Sequence, residues 1–583
     1  MSEFALCWRD SMSFRQKRLS ARVSHRQVSR LHIPDQLRDH EFNWNFFRFL
    51  FTMIKHIGLQ TLRSSCRRTS ITPWRSVRSF ASHPYQTQST SSPASPLGVI
   101  TAELDNIAPR FEIQPSQISI LDSPANFYDT LKDKIRNAKK RIYLSTLYIG
   151  KTEFELIETI NESLRRNSEL QVSILTDALR GTRESPKQSC ASLLASLVAE
   201  HGPDRVEIRM FHTPNLTGLK KKYVPRRINE GWGLQHMKLY GIDDEIILSG
   251  ANLSNDYFTN RLDRYHVFNS KPLADYYSRI HHSVCSLSFL VLPDSEDKTG
   301  YALSWPASNG TPSPLDDPEN FISYASTILV PLIKPSKSSP LPPPASSKPT
   351  FVYPVAQFSP LLKPDESTEY PAVTTILSLL SSSPSLANSS WLFTAGYFNI
   401  HPVLSSLLIS STSSGATAIS RTQGIVVTAS PWANGFYGSA GVSGMLPAAY
   451  THLSARFLDR VAEAQKTNSI QLKEWRRGTV RQPGGWTYHA KGLWITLPDK
   501  KHPNITFVGS SNYTKRSYSL DLEVGAVVVT SDESLTRRLS EETEWLQKDA
   551  TALSRDDLRK VERSVGWNVR LAMWIVEKVG GAL

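Results

Sequence analysis

The chain has 583 residues, of which 40% are hydrophobic and 21% charged, an ordinary composition for two or three globular domains. The net charge is +14, but residues 1–80 hold 15 Lys and Arg against 5 Asp and Glu, so most of the excess lies there. The remaining body is nearly neutral, which argues against a nucleic-acid partner. The four cysteines show no paired spacing and so exclude a recognisable zinc motif or disulfide framework. No apolar run reaches the roughly 18–20 residues that a membrane-spanning helix needs.

The first segment of the chain, residues 1–97, is predicted to be a mitochondrial leader followed by a disordered linker. Residues 42–102 contain no acidic side chain, and residues 53–80 combine six basic residues with Ser, Thr and apolar residues. This composition is typical of a mitochondrial transit peptide. Arg78-Ser79-Phe80 resembles a matrix processing site, which places cleavage near residue 80, and Met53 is a possible true start. A disordered basic tail is the alternative interpretation.

The rest of the chain divides into two halves with the same order of predicted elements. Residues 334–349 are rich in Pro and Ser, so they are predicted to link a first domain, 98–333, to a second, 350–583. The first half is predicted to form a strand at Arg141–Ser145, a helix at 153–166 and a strand at 170–176; the second half, a strand at 391–396, a helix at 402–409 and a strand at Gly424–Ala429. Alternating strands and helices favour an α/β fold, and their repetition indicates an internal duplication.

Each half carries an H-x-K motif late in its sequence. The two copies are His236-Met237-Lys238 and His489-Ala490-Lys491. Each motif is predicted to lie on a strand, where His and Lys share a face because strand side chains alternate. A turn and a second apolar strand follow, and that strand ends in a run of small residues closed by Asn252 or Asn512. One H-x-K tripeptide arises easily by chance, but two with the same sequel indicate a repeated functional site.

These motifs resemble those of a known superfamily. His236, Lys238 and Asp243 match H-x-K-x(4)-D, the signature of the phospholipase D superfamily, whereas the second copy has Thr496 in place of the Asp and a longer turn. Segments 211–216, 235–265, 433–439, 488–492 and 509–523 are similar to the eukaryotic mitochondrial CDP-diacylglycerol–glycerol-3-phosphate 3-phosphatidyltransferases. The resemblance implies two phospholipase D-like α/β sandwich domains, packed with pseudo-two-fold symmetry around an active site between them.

The resemblance also implies a reaction. The phosphatidyl group of CDP-diacylglycerol would pass to sn-glycerol 3-phosphate through a phosphatidyl-histidine intermediate, giving phosphatidylglycerophosphate and CMP. His236 is the expected nucleophile and His489 the general acid/base, with the reverse assignment left open. Lys238 and Lys491 would neutralise the phosphate charge, so neither a metal nor a cofactor is expected.

Further residues are assigned supporting roles. Asn252, Ser510 and Asn512 are candidate donors to the phosphate oxygens. Asp263 and Glu523 each stand 11 residues after their Asn and are candidates for orienting the histidines. Asp243 is grouped with the catalytic residues, and a structural or orienting role is its alternative.

Several alternatives and partners follow from the same sequence. The competing functions are another phospholipase D-type enzyme (a phospholipase, a cardiolipin synthase or a nuclease) and an inactive scaffold.

A basic cluster precedes the first motif and is interpreted as a binding site for an anionic acceptor or for lipid headgroups, or as a solvated loop; it consists of Lys220, Lys221, Lys222, Arg226 and Arg227. Segment 565–579 is interpreted as an interfacial helix or as a helix packed on the domain. We expect a mitochondrial protein in peripheral contact with the anionic inner membrane, on the matrix side, without nucleic acid.

Overall fold

Two mixed β-sheets of nine strands each organise the computed structural model. The structure describes residues 95–225, 229–336, 348–412 and 423–578. The predicted leader up to residue 94, residues 337–347 of the predicted linker, and Arg226 and Arg227 of the basic cluster lie outside the described residues.

The strands, in chain order, are β1 (Phe111–Glu112), β2 (Ile118–Leu121), β3 (Arg141–Ser145), β4 (Gln171–Asp177), β5 (Val206–Phe211), β6 (Leu239–Ile242), β7 (Glu245–Ser249), β8 (Arg261–Leu262), β9 (Tyr265–Asn269), β10 (Phe289–Pro293), β11 (Tyr301–Ser304), β12 (Thr350–Gln357), β13 (Ser390–Ala395), β14 (Gly424–Ala429), β15 (Ile470–Trp475), β16 (Thr487–Tyr488), β17 (Lys491–Thr496), β18 (Ile505–Gly509), β19 (Glu523–Thr530) and β20 (Ala550–Ala552).

The helices are α1 (Pro96–Ile107), α2 (Pro124–Arg136), α3 (Phe154–Arg166), α4 (Ala178–Gly181), α5 (Cys190–His201), α6 (Gly218–Tyr223), α7 (Asn255–Thr259), α8 (Lys271–Cys285), α9 (Pro318–Ile333), α10 (Glu369–Ser382), α11 (Pro402–Ser410), α12 (Leu446–Glu463), α13 (Lys515–Ser519), α14 (Glu533–Gln547), α15 (Arg555–Arg559) and α16 (Trp567–Lys578).

The two sheets have matching topology. The first sheet has the order β11-β10-β5-β4-β3-β6-β7-β9-β2, and the second β1-β12-β19-β18-β17-β13-β14-β15-β20. In each sheet three neighbouring strands are parallel, β3, β4 and β5 or β13, β14 and β15, and the antiparallel strand β6 or β17 lies beside them. The predicted α/β class and internal duplication are therefore confirmed.

The predicted central strands form because their side chains are apolar on both faces. In β3, Ile142 and Leu144 join one buried cluster, while Tyr143 joins another on the opposite face of the sheet. Parallel strands are covered on both faces by their crossover helices, so near-continuous apolar runs such as this one suit them. The strands predicted at Arg141–Ser145 and Gly424–Ala429 have those bounds in the structure.

Helices fill the space between the two sheets and also cover their outer faces. The shared inner core takes one face of each sheet together with α8, α9 and α14. The outer face of the first sheet is covered by α2, α3 and α5, and that of the second by α1, α10 and α11. The described residues form one compact unit, so both halves are held by a common core.

The N-terminal segment crosses to the second half. β1 pairs with β12, and Ile100 and Leu104 of α1 are buried in the outer core of the second sheet. The boundary expected at residue 98 therefore does not separate the two sheets, because residues 96–112 complete the edge of the second one. Among the described residues, no helix combines the length and apolar character needed to cross a bilayer.

Candidate active site

The two H-x-K motifs lie at the junction of the halves, where each motif pairs with the opposite half. The backbone N–H of His236 donates to the Leu522 carbonyl at 2.9 Å, and that of His489 donates to the Leu262 carbonyl at 2.8 Å. The short strands β16 and β8 form a parallel pair across the same junction. The histidines therefore lie outside the strands on which they were predicted, because their backbones have left their own sheets to join the other half.

Each histidine is held by a carboxylate from the other half. His236 Nδ1 lies 2.9 and 3.0 Å from the two carboxylate oxygens of Glu523. His489 Nδ1 lies 2.6 Å from Asp263 Oδ2. A carboxylate that accepts from Nδ1–H leaves the lone pair of the neutral ring on Nε2. Both imidazoles are thus arranged to present Nε2 as a nucleophile or base.

Burial governs the protonation of the site. It lowers the pKa of His236 and of His489 well below the ordinary value, and the nearby Lys238 and Lys491 add to this effect. Burial likewise lowers the pKa of Lys238 to about 7 and reduces that of Lys491. Neutral imidazoles are what nucleophilic and general-base roles require.

The pKa values of the two carboxylates are shifted in opposite directions. Burial raises the pKa of Glu523 to about 7, against the opposing influence of Lys238. Burial also acts to raise the pKa of Asp263, but Lys491 and His489 outweigh it and hold this pKa below the ordinary value. The pKa of the carboxylate on the His489 side is therefore lowered, and that of the carboxylate on the His236 side is raised.

A glycine accounts for this difference. Lys491 Nζ lies 3.6 Å from Asp263 Oδ2 and 2.8 Å from His489 Nδ1. A Cβ on Gly250 would lie 2.7 Å from Lys491 Nζ and 2.6 Å from Asp263 Oδ1, so only glycine leaves room for this approach. The matching residue of the second copy is Ser510, whose hydroxyl donates to Glu523 Oε2 at 2.5 Å.

The predicted phosphate donors occupy different environments. Asn252 is buried, and its Nδ2 donates to the Tyr257 hydroxyl at 3.1 Å. Ser510 is buried and engaged with Glu523, so its hydroxyl positions that carboxylate, and the expectation that it donates to substrate is corrected. Asn512 is half-buried, beside Ser517.

Asp243 is not brought to the site. It lies in the turn between β6 and β7, at the end of β6 remote from His236. Its carboxylate accepts from the backbone N–H groups of Lys139 and Lys140, both at 2.8 Å. Its grouping with the catalytic residues is corrected: Asp243, at φ 50°, ties this turn to the segment that leads into β3. In the second copy, Thr496 is the last residue of β17 and a longer turn leads to β18.

Two tyrosines that the sequence analysis missed contact His489. The Tyr257 hydroxyl lies 3.3 Å from His489 Nε2, and the rings of Tyr257 and Tyr397 meet the imidazole edge-on at 5.2 and 5.3 Å. No hydrogen bond to Nε2 of His236 occurs within the described ranges, and Ser517 takes the position matching Tyr257. The sequence contains a signal for this difference, because Tyr257 stands five residues after Asn252 and Ser517 stands five residues after Asn512.

Arginine side chains add positive charge near the histidines. Arg261 stacks on Tyr257 at 4.5 Å and is paired with Asp256 at 2.8 Å. In the second copy the acidic and basic residues are exchanged: Arg516 stands where Asp256 would be, and Asp521 where Arg261 would be. Arg516 Nε lies 2.9 Å from Asp521 Oδ2. The charges of both arginines contribute to the lowered histidine pKa values, Arg261 at His489 and Arg516 at His236.

Comparisons with known proteins agree with this arrangement. Residues 131–284 match the family described as a cardiolipin synthase, PLD-like domain. The fold is similar to the crystal structure of phosphatidylserine synthase from Haemophilus influenzae Rd KW20, with a TM-score of 0.60 and 20% identity, covering 83% of this chain and 98% of that one. This likeness supports the fold of two phospholipase D-like domains.

Relatives in sequence are much closer. A CDP-diacylglycerol–glycerol-3-phosphate 3-phosphatidyltransferase of Saccharomyces pastorianus is 46% identical over 502 residues, which cover 84% of this chain and 94% of the relative. The mitochondrial protein of that name from Mus musculus is 34% identical, covering 83% of this chain and 87% of its own length. This chain belongs to the family of the CDP-diacylglycerol–glycerol-3-phosphate 3-phosphatidyltransferases.

Proposed function

We propose that this protein transfers the phosphatidyl group of CDP-diacylglycerol to sn-glycerol 3-phosphate, releasing CMP and forming phosphatidylglycerophosphate. The names of the relatives supply the substrates. The observation that carries the chemistry is the crossed arrangement of the histidines, each held through Nδ1 by a carboxylate from the other half. Such a pair can divide a two-step transfer at phosphorus between a nucleophile and a base.

In the first step, His236 Nε2 attacks the phosphorus that carries the diacylglycerol. The N–P bond forms, the P–O bond to CMP breaks, and Glu523 balances the positive charge of the phosphatidyl-imidazole. His236 suits the nucleophilic role because its Nε2 has no hydrogen-bond partner in the described part of the chain, whereas Tyr257 contacts that of His489. Lys238 and Lys491 neutralise the non-bridging oxygens, and Asn252 and Asn512 are the proposed amide donors.

In the second step, a hydroxyl of glycerol 3-phosphate attacks the intermediate. Its proton passes to His489 Nε2, the new P–O bond forms, and the N–P bond to His236 breaks. The ionised Asp263 favours this step because it stabilises the imidazolium that forms on His489. Water must be excluded while the intermediate exists, since hydrolysis would release phosphatidic acid.

The test measures CMP release from CDP-diacylglycerol by the purified protein, with and without glycerol 3-phosphate. We expect sustained release and phosphatidylglycerophosphate formation only with the acceptor. Sustained release without acceptor would identify a phospholipase-type hydrolase, and product formation only with phosphatidylglycerol as acceptor would identify a cardiolipin synthase. No turnover under any condition would support an inactive scaffold.

The two histidines are expected to fail differently when replaced. His236→Ala abolishes CMP release, because no covalent intermediate forms. His489→Ala permits one loading of His236, giving about one CMP per enzyme, and then stalls, since general-base help is worth roughly a hundred- to ten-thousand-fold. Rapid quench of the first turnover and mass analysis of the His236 peptide measure this. Lipid found on His489 in wild type would reverse the assignment.

We infer that the protein works in mitochondria, peripheral to the inner membrane and on its matrix side. The leader composition and the names of the vertebrate relatives support the mitochondrion. The helix α6 supports contact with an anionic bilayer, because exposed Leu219 and Tyr223 flank Lys220, Lys221 and Lys222. Carbonate extraction should release the protein, and protease should reach it only after the inner membrane is opened.

A further inference from the structure

The last described helix, α16, has apolar residues on two opposite sides. Val569 and Met573 are buried against Ala449 of α12. On the other side, Trp567 is 65% exposed and Trp574 57% exposed. Residues seven apart lie on one side of a helix, two turns from each other. A helix that is apolar on both sides is normally covered on both, and among the described residues nothing covers the side bearing the tryptophans.

Further residues surround α16. Val442, 54% exposed, lies in the short helix Gly441–Met445 that leads into α12, and Met445 packs against the same cluster as Met573. Arg570 is exposed, one turn from Trp567. Tryptophan and arginine together are characteristic of surfaces at the boundary between lipid headgroups and acyl chains. We call Trp567, Arg570 and Trp574 the tryptophan face.

The tryptophan face is connected to the catalytic centre through α12. Tyr450, the fifth residue of α12, stacks on Tyr397 with ring centroids 5.8 Å apart. Tyr397 in turn contacts His489 edge-on, at 5.3 Å. The same end of α12 supports Val569 and Met573, so one helical turn separates the catalytic aromatic residues from the packing of α16.

We propose that the tryptophan face docks on the phospholipid bilayer and holds the active site at the depth of the lipid headgroups. This inference rests on the proposed function, since a substrate with two acyl chains has to be reached in a membrane. Trp567 and Trp574 enter the interface, and Arg570 meets lipid phosphates. The headgroup of CDP-diacylglycerol then reaches the histidines while its chains remain in the bilayer.

The test compares the full chain with Trp567→Ser/Trp574→Ser in sedimentation with phosphatidylcholine vesicles containing phosphatidylglycerol. Each exposed tryptophan removed should weaken binding by about tenfold or more, because its apolar area no longer leaves water. The matched control is Phe154→Ser, which removes a 55% exposed aromatic ring from α3 and should bind like wild type. Trp567→Leu/Trp574→Leu keeps apolar character and should restore most of the binding.

Activity provides the second readout. The Ser variant should lose transfer from CDP-diacylglycerol in vesicles, yet retain wild-type transfer from a short-chain CDP-diacylglycerol dispersed in detergent. Vesicle binding equal to wild type would overturn the proposal. The proposal would also be overturned if, in the absence of vesicles, wild type were a dimer and the Ser variant a monomer. A second copy of the chain would then cover the tryptophan face. Failure of wild type to turn over either substrate would refute the proposed function but leave the binding result intact.

Discussion

At the scale of single residues, the two halves of the site differ most at the nitrogen that faces the substrate. The Tyr257 hydroxyl forms a hydrogen bond with Nε2 of His489, whereas no described residue forms one with Nε2 of His236. A hydroxyl that donates to Nε2 holds the ring in its neutral form and keeps it aligned until the acceptor arrives. Tyr257 is therefore a positioning residue for the second step of the transfer.

We expect Tyr257→Phe to lower kcat by about tenfold, because one hydrogen bond on the base is lost while the ring contact remains. The first loading of His236 should keep its rate. Tyr397→Phe is the matched control, since Tyr397 contacts the same imidazole through its ring. Pre-steady-state CMP release separates the two steps, and an equal slowing of both would contradict the role given to Tyr257.

The pH dependence of kcat/KM should reflect the protonation state of Lys238. Burial lowers its pKa to about 7, so in the free enzyme its charge is present below that pH and is lost as the pH rises through it. We expect kcat/KM to fall on the alkaline side near neutral pH, far below the range of an exposed lysine. Lys238→Arg should move this fall to higher pH, because guanidinium stays protonated. An exposed control, Lys220→Arg, should leave the profile unchanged; an unchanged profile in Lys238→Arg would exclude this origin.

At the scale of elements, the chain reaches the site through the small-residue runs that follow β7 and β18. Gly250 and Ser510 take the same position in these runs. The first leaves space for Lys491 beside Asp263, and the second donates to Glu523. This position is therefore one of those at which the two copies of the element differ in their electrostatic environment.

Exchanging these residues should have unequal effects. Gly250→Ser places a Cβ within 2.7 Å of Lys491 Nζ and should lower kcat/KM by about a hundredfold or more, because the lysine and its carboxylate are displaced. Ser510→Gly removes one hydrogen bond to Glu523 and should cost about tenfold or less. Circular dichroism controls for folding. Equal losses in the two variants would show that space at Gly250 is not the determinant.

The local sequence was sufficient to predict some elements of the fold but not others. Apolar runs predicted β3 and β14 with correct bounds, because both faces of those strands are buried whatever their partners. The strand prediction was wrong for both histidines and for Lys238, whereas Lys491 begins β17. The backbone of His236 pairs with Leu522, 286 residues away, and no local pattern encodes that pairing. Equal spacing from Asn did single out Asp263 and Glu523, but not their exchange between the halves.

At the scale of the whole molecule, one buried side chain joins the halves behind the site. Arg264, from the segment between β8 and β9, stacks on Trp494 of the second sheet at 3.8 Å. Its guanidinium donates to both carboxylate oxygens of Glu542, at 2.8 and 3.0 Å, and Trp494 Nε1 donates to the same carboxylate at 3.0 Å. Burial opposes ionisation of Glu542, but Arg264 and His266 outweigh it, so its pKa lies below the ordinary value.

We expect Glu542→Gln to destabilise the entire unit by about 3–5 kcal/mol, because it leaves the Arg264 guanidinium buried without a counter-charge. The depressed pKa means that the contribution of Glu542 is present above the ordinary carboxyl pKa and is lost as the pH falls through the folded-state value. The difference in stability between wild type and Glu542→Gln should therefore shrink in acid.

Asp556→Asn, which breaks the exposed pair with Arg559, is the control and should change stability by less than about 1 kcal/mol. Thermal unfolding near neutral and at acidic pH measures both variants; a Glu542→Gln variant as stable as wild type would show that this ion pair does not hold the halves together.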